Sequence, residues 1–181
     1  MNILIAGVGG QGTLLASRVL GAYAVKKGLD CKLSEVHGMA QRGGSVVTFV
    51  KIGEKIHSPI IEEGEADVIL AFERLESLRW AHYLKKGGKI LFSSQEIMPM
   101  PVLTGAAEYP HGASADNSEE IDAMSVAEEL GFPKVANTVM LGALAKRAGM
   151  DYEVALQALI DCIPPKTKEV NEKAFKAGYD R

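Results

Sequence analysis

The chain opens with Asn2-Ile3-Leu4-Ile5-Ala6-Gly7-Val8-Gly9-Gly10-Gln11-Gly12, a short apolar run that ends in a glycine cluster. Such a brief run indicates a buried strand, and a long amphipathic pattern follows it at once. Gly7, Gly9 and Gly12 match the G-x-G-x-x-G spacing that turns a first strand into a first helix. These glycines permit, in order, a tight turn, a close backbone approach to a bound group, and close packing of the helix on the strand. The free N–H groups of the new helix then favour an anion such as phosphate, or a group of similar shape.

The pattern after this turn alternates between helix and strand. Apolar residues recur at helical spacing from Leu15 to Tyr23, and Gly28 is a natural C-terminal stop. Cys31 to Val36 predicts a second strand, parallel to the first across a right-handed crossover. A helix is predicted over 75–84. Further strands are predicted over 45–52, 67–72 and 89–93, with short additions over 101–103 and 121–124.

Two features complete the expected fold. Gly53-Glu54 predicts a turn into a short second arm, Lys55 to His57, so the sheet is expected to be mixed. Beyond residue 124 the pattern is helical, with N-caps expected at Ser125, Asn137, Asp151 and Thr167. The prediction is a Rossmann-like three-layer α/β sheet, mostly parallel with an inserted β-hairpin, and a helical C-terminal third. At 181 residues the chain is expected to form one domain, 1–181.

Composition and charge disfavour several classes of function. The net charge of −3 is spread over mixed signs without a basic block, which disfavours nucleic acid as a partner. Cys31 and Cys162 are the only cysteines, and they give neither a disulfide framework nor a metal-ligand spacing. No apolar run approaches the length of a membrane span, and the start lacks the pattern of a secretory signal. We expect a soluble cytoplasmic protein that binds no metal.

Candidate ligand-binding residues gather at one edge of the expected sheet, where parallel strands end and ligands of open α/β sheets bind. The Arg42 guanidinium is suited to bind a phosphate or carboxylate through two parallel hydrogen bonds, but its loop is equally suited to contact with another subunit. Glu35 lies near the position of the acidic residue that binds the ribose in NAD-binding folds. The favoured interpretation is instead that Glu35 interacts with the adjacent loop. The candidates are Gly7, Gly9, Gly10, Gln11, Gly12, Glu35, His37, Gln41, Arg42, Gly43, Gly44 and Glu73.

Catalytic machinery is missing from the pattern. The chain has no cysteine cluster for iron–sulfur or zinc, no G-x-x-x-x-G-K-[ST] loop and no G-x-S-x-G nucleophile. No pair of nucleophile and base can be named, so no residue is assigned as catalytic. These observations predict a binding subunit whose hard chemistry lies on another chain.

Three stretches carry a family resemblance: Gly7 to Thr13, Ser34 to Val46 (SEVHGMAQRGGSV), and Gly64 to Glu73 (GEADVILAFE). Together they resemble the gamma-type domain of the 2-oxoacid:ferredoxin oxidoreductases. The likeness runs from the first strand through the helix at Ala136-Asn137, and 98–118 is the part that matches least.

The resemblance implies one subunit of a complex that oxidatively decarboxylates aryl 2-oxoacids, indolepyruvate above all, to the acyl-CoA. It places thiamine diphosphate and the [4Fe–4S] clusters on a large (alpha) partner subunit, with ferredoxin as electron acceptor and coenzyme A as the ligand that this chain helps to hold. Gly9, Gly10, Gln11 and Gly12 would lie near the coenzyme A phosphates or the active-site mouth. The same cleft or the subunit seam would be lined by His37, Gln41, Arg42 and Gly43.

Two alternatives stay open at this point. The first is an autonomous NAD-dependent dehydrogenase that uses Gly7, Gly9, Gly12 and Glu35. The second is a structural assembly subunit with no ligand at the glycine turn. If the chain is a subunit, a homodimer is expected when it is purified without its partner, because the partner-binding face is then exposed.

Overall fold

Strands and helices follow one another along the chain in a computed structural model that describes residues 1–37, apart from the His37 side chain, and 44–181. The strands are β1 (Asn2–Val8), β2 (Asp30–His37), β3 (Ser45–Gly53), β4 (Ala66–Ala71), β5 (Leu84–Ser93) and β6 (Ser118–Ile121). The helices are α1 (Thr13–Lys26), α2 (Arg74–Arg79), α3 (Met100–Leu103), α4 (Ala123–Glu129), α5 (Ala136–Arg147), α6 (Tyr152–Cys162) and α7 (Lys168–Asp180).

The described strands form one mixed sheet in the order β2-β3-β1-β4-β5-β6. β1, β4, β5 and β6 pair in parallel, whereas β3 runs antiparallel to both of its neighbours, β1 and β2. Five strands therefore point the same way, and the mixed, mostly parallel α/β sheet predicted from the sequence is confirmed.

The second hairpin arm predicted at Lys55–His57 is wrong, because this segment forms no strand. β3 itself supplies the reversed strand. Both edges of β3 are already paired, one with β1 and one with β2, so the following segment has no free edge to join. Asp30 instead accepts the Ile56 N–H at 2.9 Å, which holds the segment beside the start of β2.

Two apolar clusters cover the two faces of the sheet and make three layers. Side chains alternate along β1, so Ile3 and Ile5 join one cluster and Leu4 joins the other. The first cluster packs α1 and the C-terminal helices onto the sheet, and the second packs the aromatic turn after α2. Because both faces are covered, β1 and β4 are nearly continuous apolar runs.

The C-terminal helices α5 and α7 pack with their backbones in unusually close approach. A Cβ on Gly142 would meet the Phe175 carbonyl oxygen, and one on Gly178 would meet the Val139 carbonyl oxygen. Beside this contact, buried Thr138 donates a hydrogen bond to Asn171 Oδ1 at 2.7 Å. The predicted helical C-terminal third is therefore a tightly fixed unit.

The helix predicted over 75–84 is shorter than expected, since α2 ends at Arg79. Trp80 and Tyr83 turn inward against one another, with ring centroids 5.5 Å apart, and the chain passes through a 3₁₀ turn into β5. Gly87 and Gly88 both lie inside β5. A Cβ on Gly88 would approach the Asp67 carbonyl oxygen to 2.9 Å, at the place where the β4–β5 register shifts.

The short strand predicted over 101–103 is also wrong, because Met100–Leu103 forms a single helical turn after Pro99. The strand expected over 121–124 lies earlier, as β6. Two expected caps are correct in position, Asp151 before α6 and Thr167 before α7.

The other two caps are wrong. Asp122 precedes Ser125 by three residues and accepts its N–H at 3.2 Å, so the aspartate caps α4. α5 follows a 3₁₀ turn directly, with Val135 at the cap position, and Asn137 already lies within the helix.

Candidate functional site

The glycine turn lies at the carboxyl ends of the parallel strands, as predicted. Gly10 and Gly12 adopt left-handed backbone conformations, with φ of 104° and 90°, which side chains strongly disfavour. The Gly9 N–H donates to the Gly44 carbonyl at 2.9 Å, and this bond joins the turn to the segment that precedes β3. Gly7 has a separate reason to be glycine. Its Cβ would lie 3.1 Å from the Gln11 amide oxygen.

The Gln11 side chain holds the turn in shape. Its Oε1 accepts the Val8 N–H at 2.8 Å, and its Nε2 donates to the Phe72 carbonyl and to Gln95 Oε1, each at 2.8 Å. Phe72 follows β4, so the amide links the ends of two parallel strands. Both N–H donors of Gln11 therefore act inside the protein.

Gly12 has a different neighbour from the one expected. The motif predicted that this glycine lets α1 pack close to its own strand. In the structure a Cβ at Gly12 would instead meet the side-chain nitrogen of Asn137, in the first turn of α5. The absence of a side chain at Gly12 thus lets α5 approach the glycine turn.

This approach creates a cleft of about 180 Å³, called here the Lys134 cleft. Its walls are the glycine turn, the ends of β4 and β5, and the beginning of α5. None of the lining residues is acidic, and Lys134, Asn137, Ser93 and Gln95 are lining residues whose side chains carry N–H or O–H donors. The lining residues are Gly10, Gln11, Phe72, Ser93, Gln95, Met124, Pro133, Lys134, Ala136, Asn137 and Met140.

A second cleft of about 300 Å³, the Glu35 cleft, lies on the other side of the turn. Glu35 lines this cleft and accepts a hydrogen bond from Thr48 Oγ1 at 3.1 Å. The lining residues are Gly9, Gly10, Gly12, Thr13, Leu14, Glu35 and Val46.

The sheet order argues against an NAD site built on Glu35. In dinucleotide-binding folds the second strand lies beside the first, which brings its terminal acid close to the glycine turn. Here β3 lies between β1 and β2. Glu35 is therefore two strand spacings from β1, roughly 10 Å in place of 5 Å.

Glu73 lies at the end of β4, on the expected rim, but its carboxylate faces inward. It caps α2 by accepting the Glu76 N–H at 2.9 Å, and it also accepts the Ile97 N–H at 3.1 Å. The Tyr109 hydroxyl donates to it as well. Burial, followed by the hydrogen bond to Glu73, raises the pKa of Tyr109 far above its usual range. With 1% of its surface exposed, Glu73 is placed as a structural acceptor.

The remaining predicted residues are only partly described. Gly44 joins the glycine turn as stated, and His37 ends β2 on the same rim, but its side chain is not described. Gln41, Arg42 and Gly43 lie outside the described residues. Within 1–37 and 44–181, no group of three or more His, Cys, Asp or Glu side chains is placed to hold a metal ion. Nor does any helix in these ranges have the length and apolar character to cross a bilayer.

Comparison with known protein families shows which family this chain belongs to. Residues 2–181 match the pyruvate ferredoxin/flavodoxin oxidoreductase family. The chain belongs to that family. The resemblance inferred from the glycine turn and the SEVHGMAQRGGSV stretch is thereby confirmed.

Relatives within the pyruvate ferredoxin/flavodoxin oxidoreductase family are oxidoreductase subunits. The chain is 40% identical to the indolepyruvate oxidoreductase subunit IorB of Thermococcus kodakarensis, over 98% of this chain and 93% of that protein. It is 32% identical to the 2-oxoglutarate synthase subunit KorC of Methanothermobacter thermautotrophicus, over 99% and 93%. The predicted class, a subunit of a 2-oxoacid:ferredoxin oxidoreductase, is confirmed, and the dehydrogenase and purely structural alternatives are not favoured.

Solved structures of other oxidoreductases share the architecture. The gamma subunit of a keto/oxoacid ferredoxin oxidoreductase from Geobacter sulfurreducens superposes with a TM-score of 0.74 at 25% identity, covering 99% of this chain and 96% of that one. A 2-oxoglutarate:ferredoxin oxidoreductase from Magnetococcus marinus, solved with 2-oxoglutarate, coenzyme A and succinyl-CoA bound, gives 0.76 at 18% identity. There the fold covers 99% of this chain and 30% of the longer one.

Several cleft residues escaped the sequence analysis. Lys134 and Asn137 lie about 125 residues from the glycine turn and follow no recognisable motif, and Gln95 resembles an ordinary turn residue. A signal for Asn137 did exist. Gly12, the third glycine of the motif, indicates that another group packs closely against this position. Only the packing of α5 shows that this group is Asn137.

Proposed function

We propose that this chain is the small (beta) subunit of an indolepyruvate ferredoxin oxidoreductase, formed by one gamma-type domain over residues 1–181. It acts with a larger (alpha) subunit in the oxidative decarboxylation of aryl 2-oxoacids to acyl-CoA, with ferredoxin as electron acceptor. The observation that carries this proposal is the 40% identity to an indolepyruvate oxidoreductase subunit over nearly the full length of both chains.

The residues of this chain fit coenzyme A as a ligand. Its phosphates need N–H donors and positive charge, and the Lys134 cleft borders Gly10, Asn137 and the start of α5, with Lys134 as cation and no carboxylate in the lining. Nothing lies within 4 Å of a Cβ built at Gly10, so a ligand can approach the backbone there. The Magnetococcus marinus fold neighbour was solved with coenzyme A, which makes this the ligand to test.

Thiamine diphosphate and the iron–sulfur clusters belong to the large subunit in this proposal. A [4Fe–4S] cluster takes four thiolates, and this chain has two cysteines. Burial raises the pKa of both Cys31 and Cys162, which disfavours the thiolate form that a metal requires. When bound to the partner, thiamine diphosphate supplies the carbanion chemistry of decarboxylation. The role of the small subunit is to hold coenzyme A and close the active site, so it is inactive alone.

The test is Lys134→Ala in the co-expressed complex, with Lys176→Ala as the matched control. Lys176 is an exposed lysine on α7 that lines neither cleft. We expect Lys134→Ala to raise the KM for coenzyme A about fivefold, the upper end for an exposed ion pair, and to leave the KM for the 2-oxoacid unchanged. The effect should shrink in high salt, where exposed charges are screened. An unchanged KM for coenzyme A would remove the Lys134 cleft from the proposal.

A further inference from the structure

Glu76, on α2, is a carboxylate that the proposed function leaves without a role. Only 3% of its surface is exposed, and burial raises its pKa. Oε2 accepts the Ser45 hydroxyl at 2.5 Å and the Trp80 indole N–H at 3.3 Å. The Arg79 guanidinium lies 3.3 Å from Oε1 and remains half exposed. The carboxylate is therefore held from one side by α2 and from the other by the first residue of β3.

The contact with Ser45 leads directly to the glycine turn. Ser45 pairs with Val8, the last residue of β1, and the preceding carbonyl, that of Gly44, accepts the Gly9 N–H at 2.9 Å. A single short path thus runs from the Glu76 carboxylate through Ser45 and Gly44 to Gly9. It fixes the point where the chain re-enters the sheet beside the turn.

A purely space-filling role does not explain a carboxylate at this position. A buried charge has a desolvation cost, and an apolar side chain of similar volume would fill the same space without it. What a methionine or leucine cannot do is accept the Ser45 hydroxyl in a fixed direction. Charge-assisted hydrogen bonds of this kind are shorter and stronger than neutral ones.

We propose that Glu76 is a positioning residue, which holds Ser45 and through it the backbone of the glycine turn in the geometry that binds coenzyme A. This inference rests on the proposed function, because it assigns the turn as part of the coenzyme A site. Glu76 itself touches neither cleft and takes no part in the chemistry.

The experiment uses the co-expressed complex with Glu76→Met, Glu76→Gln, Ser45→Ala and the double variant Ser45→Ala/Glu76→Met. Tyr109→Phe is the matched control. It removes a buried hydrogen bond to Glu73 at the other end of α2 without touching Ser45. Thermal unfolding, the KM for coenzyme A, the KM for the 2-oxoacid and kcat are measured for each variant.

Glu76→Met and Ser45→Ala should each raise the KM for coenzyme A about tenfold, the loss expected for one hydrogen bond to a charged group. The KM for the 2-oxoacid and kcat should stay within about twofold of the parent. The KM for coenzyme A of the double variant should not exceed that of the single variant with the higher KM, since both changes break the same hydrogen bond. Glu76→Gln keeps an acceptor oxygen for Ser45 and should recover most of the affinity. Tyr109→Phe should lower the melting temperature and leave the KM for coenzyme A unchanged.

Unchanged KM values for coenzyme A in Glu76→Met and Ser45→Ala, together with lowered melting temperatures, would overturn the positioning role. If Glu76→Met fails to assemble, Ser45→Ala decides alone. Failure of this inference is distinguishable from failure of the proposed function. In the first case turnover still requires this chain and coenzyme A, and Lys134→Ala still raises the KM for coenzyme A. In the second case turnover requires neither this chain nor coenzyme A. A selective effect on the KM for the 2-oxoacid would also overturn the inference.

Discussion

Gly178→Ala tests the closest helix packing in the molecule. Gly178 lies on α7 against α5, and a Cβ built there would lie 2.7 Å from the Val139 carbonyl carbon and 3.0 Å from its Cα, with the carbonyl oxygen closer still. These neighbours are backbone atoms in a helix. No change of rotamer can relieve the contact, so the two helices must separate.

The magnitude follows from two opposing effects. Alanine is a better helix former than glycine by about 1 kcal/mol, which favours the variant. Against this, overpacking costs about 1–3 kcal/mol or more, and separation of the helices also loosens Val139 and Phe175, both fully buried. We expect a net loss of about 2 kcal/mol, which in a chain of this size lowers the melting temperature by roughly 4–8 °C.

Gly21→Ala in α1 is the matched control, measured by circular dichroism alongside the parent. Gly21 is also helical, but its Cβ would meet only a Leu33 methyl group at 3.7 Å, an ordinary contact. We expect this variant to gain up to about 1 kcal/mol from helix propensity. If Gly178→Ala melts at or above the parent temperature, the close backbone approach of α5 and α7 is refuted.

Two further changes probe other contacts. Gly12→Ala should lower the free energy of unfolding by about 2 kcal/mol more than a Gly→Ala change at a site with ordinary φ and open space. The reason is that the φ of 90° at Gly12 is unfavourable for alanine and Asn137 occupies the space. Gly28→Ala, at φ 69° with open space, is its control, and equal losses in the two variants would contradict the Asn137 contact. The Arg147 side chain lowers the pKa of Glu119 through hydrogen bonds, so this stabilisation is complete above the ordinary pKa of 4.5 and is lost as pH falls through the lowered value. Glu119→Gln should therefore melt below the parent at pH 7, and the difference in melting temperature should narrow as pH falls below 4.5. A difference that is independent of pH would refute this.

Local signals in the sequence predicted much of the fold. The apolar run before Gly7 and the Asp151 cap were sufficient, because a buried strand and a capped helix depend on nearby residues. Failures came where tertiary contacts decide. Trp80 ends α2 early by packing on the sheet, and Lys55–His57 finds both edges of β3 already occupied.

In the candidate site too, features set by local sequence could be predicted, and features set by tertiary contacts could not. The glycine turn could be predicted because its backbone conformation requires glycine, and the spacing of Gly7, Gly9 and Gly12 is recognisable in the sequence. Lys134 and Glu76 could not, since the cleft of one and the Ser45 contact of the other exist only after distant segments pack. Glu76 in particular looks like a solvated helix residue in sequence and is buried in the structure.

The most direct test of the account is reconstitution. The large (alpha) subunit of the proposed complex is purified with and without this chain, and indolepyruvate-dependent dye reduction is measured in the presence and absence of coenzyme A and thiamine diphosphate. We predict turnover only when both chains and coenzyme A are present. Full activity from the large subunit alone, or turnover by this chain alone, would contradict the claim that the small subunit completes the active site.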